Sequence, residues 1–108
     1  MKSFTILVAE SIRSDEFKRF VRETNGLVQG ELSAVYNDSV GSFLSLDLFD
    51  DLESEFDGNE IVEINSELGV EVKSVFVIHV GHHGQSEEYS SRVAGLVLDR
   101  WRGIRSSG

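Results

Sequence analysis

Apolar residues recur along the chain with two different periods. Phe4-Thr5-Ile6-Leu7-Val8-Ala9 is short, rich in β-branched residues and bounded by polar ones, which predicts a strand. Ser14 then offers an N-cap, with Asp15 and Glu16 where the helix dipole favours negative charge. Phe17, Phe20 and Val21 follow at the spacing of one helical stripe, and Asn25-Gly26 ends the helix with Gly26 suited to the left-handed position. From Gly30 on, Leu32, Ala34 and Tyr36 alternate with Glu31, Ser33 and Val35. Between Phe43 and Phe49, Leu44, Leu46 and Leu48 alternate with Ser45 and Asp47. Period-two alternation predicts half-buried strands with one wet face. Asn37-Asp38-Ser39-Val40-Gly41 is turn chemistry, so the two segments read as an antiparallel hairpin around a five-residue turn.

Residues 50–58 are acidic and weakly periodic and read as a loop. Ile61, Ile64 and Leu68 predict a short helix from Asn59 ended by Gly69, with a strand through Val62 and Ile64 as the rival. Ser74 to Val80 is the most apolar run and predicts a central strand covered on both faces. After the loop Gly81-His82-His83-Gly84, Ser86 caps a last helix whose stripe is Tyr89, Val93, Leu96, Val97 and Trp101, with Gly103 as its stop. The order β-α-β-β-(α)-β-α predicts an α+β two-layer sandwich. Its sheet is mostly antiparallel or mixed and four-stranded, with helices on one face. One domain spans residues 1–105, and 106–108 read as a frayed tail.

Composition narrows the chemistry. The 108 residues include ten aromatics and no cysteine, which removes disulfides and thiolate metal sites. The N-terminal apolar run from Phe4 to Ala9 is shorter than the roughly 7–15 residues of a signal-peptide core. No run approaches the roughly 20 residues of a membrane span. These features predict a soluble, cytoplasmic protein without a membrane partner.

Charge changes the picture most. Residues 23–72 hold thirteen acids and no lysine or arginine, whereas each flank holds five bases and three acids. The net charge of −9 argues against direct nucleic-acid binding, because phosphates repel it. An acidic stretch can simply aid solubility and a monomeric or small homo-oligomeric state. Segregation on this scale, however, creates self-repulsion with no local relief, and it suits a surface that must meet a basic protein. Asp47, Asp50, Asp51, Glu53, Glu55 and Asp57, with Phe49 and Phe56 as aromatic anchors among them, form the expected partner-binding segment; Phe43 is a further candidate anchor.

Catalytic and metal signatures are weak. His79, His82 and His83 could direct two imidazoles at one ion, but no further ligand pattern accompanies them, and the plainer reading is a strand residue and two loop residues. With Glu53 taken as position 1 of an EF-hand frame, Glu55, Asp57 and Gly58 fall at positions 3, 5 and 6, but the frame fails at Glu53 (Glu in place of Asp), Glu60 and Ile64. Neither a G-x-S-x-G elbow nor a phosphate loop is present. The sequence therefore predicts no catalytic residues and no cofactor.

The last third of the chain carries a resemblance. Val75-Phe76-Val77-Ile78-His79-Val80-Gly81, a loop, and Glu88-Tyr89-Ser90 leading into an amphipathic helix that ends Leu98-Asp99-Arg100-Trp101 resemble the immunity proteins of bacterial polymorphic toxin and contact-dependent inhibition systems. The resemblance implies a one-to-one complex with a cognate toxin, often a basic nuclease, that blocks its active site or an adjacent surface. Two other expectations stand beside an immunity or inhibitor protein. One is a phage-type decoy whose carboxylates imitate DNA phosphates. The other is a small metal-binding enzyme built on His79, His82 and His83.

Overall fold

A computed structural model describes residues 2–37, 41–49, 58–69, 71–81, 85–101 and 103–106. In chain order the elements are β1 (Lys2–Val8), α1 (Ser14–Glu23), β2 (Leu27–Gly30), β3 (Ser33–Asn37), β4 (Phe43–Phe49), α2 (Gly58–Leu68), β5 (Ser74–Val80), α3 (Ser86–Arg100) and β6 (Gly103–Ser106). The six strands form one sheet in the order β2-β3-β4-β5-β1-β6, and every neighbouring pair is antiparallel. The α+β class and the β3–β4 hairpin agree with the sequence pattern, while the strand count and element order do not. Six strands replace the expected four because β2 and β6 span only four residues each, too short to show a period. Ser106 belongs to β6 and stands opposite Thr5.

Strand parity divides the sheet into two faces. Phe4, Ile6 and Val8 of β1, Leu44, Leu46 and Leu48 of β4, and Phe76, Ile78 and Val80 of β5 are buried on one of them. They pack in a single cluster with Phe17, Phe20 and Val21 of α1, Val93, Ala94 and Val97 of α3, and Trp101. Phe76 sits at its centre, with ring centroids 6.2 Å from Phe17 and 5.4 Å from Trp101. The opposite parity, Leu7 and Val75, forms a second cluster with Val72, and Ile64 of α2 packs against it. Helix α2 therefore covers the reverse face, and the expected arrangement with all helices on one side is corrected. The cause is in the sequence: β5 is apolar at both parities, so its second face also needs cover. Asn65 fixes the following turn, its Oδ1 accepting the Val72 N–H at 2.7 Å.

Helix ends differ in detail from their expected chemistry. Arg13 and Gln85 occupy the N-cap positions of α1 and α3, and neither side chain makes a cap bond. Ser86 lies inside α3 and accepts the Phe43 N–H at 3.0 Å, tying the helix to β4. Asn25, at φ 66°, takes the left-handed position after α1. Gly26 serves a different purpose, because a Cβ there would lie 2.6 Å from the Tyr36 ring and 2.8 Å from Val21 Cγ1.

That close approach lets the fully buried Tyr36 reach Thr24, whose Oγ1 lies 2.6 Å from the Tyr36 hydroxyl and also donates to Phe20 O at 2.7 Å. Burial pushes the Tyr36 hydroxyl above its ordinary value of 10.0, and the Thr24 bond opposes that push. The unfolded chain then loses this proton first as pH rises, so Tyr36 makes stability fall above pH 10.0. Tyr36→Phe should cost about 0.5–1.5 kcal/mol near neutral pH through the lost hydrogen bond. The variant should also show a shallower alkaline decline in urea-melt stability. An equally steep decline would assign the effect to other groups.

Candidate functional site

The reverse face of the sheet beyond α2 gathers the described part of the expected partner-binding segment. Phe43, Ser45, Asp47 and Phe49 alternate out of β4 on this side, while their neighbours Leu44, Leu46 and Leu48 enter the main core. In register, Ser45 stands between Val35 and His79, and Asp47 between Ser33 and Val77. Phe49 lies beside Val75, close to the strip that Ile64 covers. Phe43 keeps 38% of its surface exposed, and Val35, Ser45, Asp47, Val77 and His79 are half-buried. Asp47 is held in place by Ser33, whose Oγ donates to its Oδ1 at 2.8 Å. Asp50, Asp51, Glu53, Glu55, Phe56 and Asp57 lie outside the described residues, as do His82 and His83.

The electrostatics of this side are dominated by α2. Glu60, Glu63 and Glu67 are all exposed on it, the helix has no base, and the exposed Glu71 follows. Arg19, Arg22, Arg92 and Arg100 belong instead to α1 and α3, across the sheet. Two described acids of the base-free stretch depart from this sorting: Glu23 ends α1 on the other layer, and Glu31 is paired with a base. Glu31 lies in the turn between β2 and β3, and Lys18 Nζ of α1 donates to its Oε1 at 3.0 Å. The Lys18 ammonium holds this carboxyl below its usual value. Glu31 was expected on the wet face of a strand, and its ion pair could not be read from alternation alone. The Lys18 pair therefore relieves part of the stretch's self-repulsion.

His79 faces the open side between the hydroxyl-bearing Ser3 and Ser45 in register. Among the described residues no group of three or more His, Asp or Glu is placed to hold a metal ion. Positions 6 to 12 of the EF-hand frame, Gly58 to Ile64, fall inside α2, so they form a helix and not a cation loop. Among the described residues no helix is long and apolar enough to cross a membrane.

Neither a family model, a curated protein nor a solved structure matches the chain. The geometry stands alone. A half-open sheet face carries apolar residues and one fixed carboxylate, and an acidic helix borders it.

Proposed function

We propose that the chain is a non-catalytic acidic binding protein, an immunity or inhibitor protein that neutralises a basic toxin through a one-to-one complex. The observation supporting this reading is the sorting of charge across the sheet. Asp47, Glu60, Glu63 and Glu67 share the α2 side, while the arginines of the described helices all belong to α1 and α3 on the other layer. A field of one sign draws in a partner of the opposite sign and rejects others. Phe43, half-buried Phe49 and Leu27, which is 55% exposed, supply apolar contacts among the carboxylates. In this reading the protein acts in the cytoplasm, as a monomer or small homo-oligomer.

The test takes as partner any basic toxin domain that sequencing finds encoded beside this chain's gene. Association measured by stopped flow should slow by about tenfold or more between low and high salt. The double reversal Glu63→Lys/Glu67→Lys should slow it further than Glu88→Lys on the other layer. A rate indifferent to salt would sink the proposal. Duplex DNA that competes for the same partner would favour the decoy reading instead.

A further inference from the structure

Helices α1 and α3 cover the same face of the sheet, and the C-terminal end of α3 lies against α1. There Arg100 of α3 pairs with Glu16 of α1 at 4.0 Å, and the Phe20 and Trp101 ring centroids are 5.0 Å apart. At the other end a cleft of about 410 Å³ opens between the C-terminus of α1 and the N-terminus of α3. Glu23, Thr24 and Asn25 line it from α1 and its end, and Gln85, Glu88, Tyr89, Arg92, Val93 and Leu96 from α3 and its cap.

The walls are fixed before any ligand arrives. Thr24 is bonded to Phe20 O and Tyr36, and Asn25 is locked in the left-handed turn. Gly26 N donates to Val21 O at 2.8 Å, and Tyr89 packs edge-on against Tyr36 with centroids 6.3 Å apart. The charges of the cleft, by contrast, are unspent. Glu23, Glu88 and Arg92 make no ion pair with a described residue, although the carboxylates and the guanidinium line one space.

This lining selects by chemistry. Two carboxylates disfavour a phosphate or other dianion, and Arg92 disfavours a ligand that is wholly cationic. A molecule with a cation at one end and a carboxylate at the other satisfies all three. The volume lies at the lower end of the about 300–1,000 Å³ usual for small-molecule sites, the scale of one or two amino-acid residues. The Tyr89 ring and the side chains of Val93 and Leu96 give the aliphatic part of such a ligand an apolar wall, and an aromatic face also attracts a guanidinium.

We infer that this cleft binds a basic amino acid by both ends, its side-chain cation held by Glu23 and Glu88 and its carboxylate by Arg92. The same chemistry is offered by free arginine and by the C-terminal arginine of a peptide. The site is independent of the toxin-binding reading, whose residues lie across the sheet.

Amide-resolved NMR titration of the full chain with L-arginine, agmatine and a short peptide ending in arginine tests it. Arginine should shift resonances in residues 23–25 and 85–96, and agmatine, which lacks the carboxylate, should bind about fivefold more weakly. Glu88→Gln should weaken arginine binding by about fivefold, and Arg92→Gln should erase the difference between arginine and agmatine. These positions are exposed, so unchanged Trp101 fluorescence will confirm that the variants fold. Tighter binding of the peptide assigns the site to a protein C-terminus, and tighter binding of the free amino acid assigns it to the metabolite; either order supports the site. Silence at about 10 mM arginine overturns the inference. So does agmatine bound as tightly as arginine, or binding that survives Glu23→Gln/Glu88→Gln.

Discussion

Phe76→Ala is expected to remove about 3–5 kcal/mol of stability, the usual cost of deleting a fully buried aromatic side chain. Phe76 is wholly inaccessible, lies on the strand between β4 and β1, and touches the aromatic rings of both Phe17 and Trp101. Its removal leaves a cavity bounded by side chains from the sheet and both covering helices, which cannot all move in to fill it. A domain of this size has only about 5–15 kcal/mol to lose, so the urea midpoint should fall by about a fifth or more. Trp101, the single tryptophan, reports the transition directly because its indole is buried against the deleted ring. A loss below about 1.5 kcal/mol would mean that the two helices do not close on β5 as described.

Gly103→Ala should cost about 1–3 kcal/mol and Gly103→Val more, through a clash that side-chain motion cannot relieve. A Cβ at Gly103 would run into the backbone carbonyl oxygen of Leu7 and come within 3.2 Å of Val8 Cα. Both contacts are main chain, on the strand that Gly103 must pair with. The damage should be local. Hydrogen exchange should accelerate at β1 amides directed toward β6, while the β1–β5 ladder keeps its protection. Uniform acceleration along β1 would show that β6 is integral to the whole sheet and not an added edge.

The long apolar patterns were legible because each one matched a single burial environment. The stripe Phe17, Phe20 and Val21 is buried as spaced, and the alternation of β4 maps directly onto its two faces. Helix α3 departs from its hydrophobic stripe. Leu96 of the expected stripe is 38% exposed, while Ser86, Ser90 and Ala94 are buried in its place. A helix lying close to a sheet needs small residues at its contact points. Serine can enter there when its hydroxyl is satisfied locally, as Ser90 Oγ is by Glu87 O at 2.8 Å. Hydrophobicity does not mark such positions.

The candidate sites divide in the same way. Asp47 and Phe49 could be assigned to one face from period alone, and they share it. That α2 joins them there depends on which face of β5 needed cover, a tertiary fact. The cleft between α1 and α3 gave no sequence signal, because Glu23 and Glu88 lie far apart in the chain and each resembles ordinary helix-surface charge.

The location of β1 in the sheet constrains how the protein is born. Both of its partners come late in the chain: Ile6 pairs with Phe76 on one side and with Arg105 on the other. The β2-β3-β4 meander can form from neighbouring segments as soon as they emerge from the ribosome. The first strand must then wait, its apolar residues uncovered, until β5 has been synthesised. Pairing across such a sequence distance is slow because the loop must be closed before any contact rewards it. Nascent chains arrested before β5 should therefore hold a folded meander beside an unpaired, chaperone-accessible β1 segment.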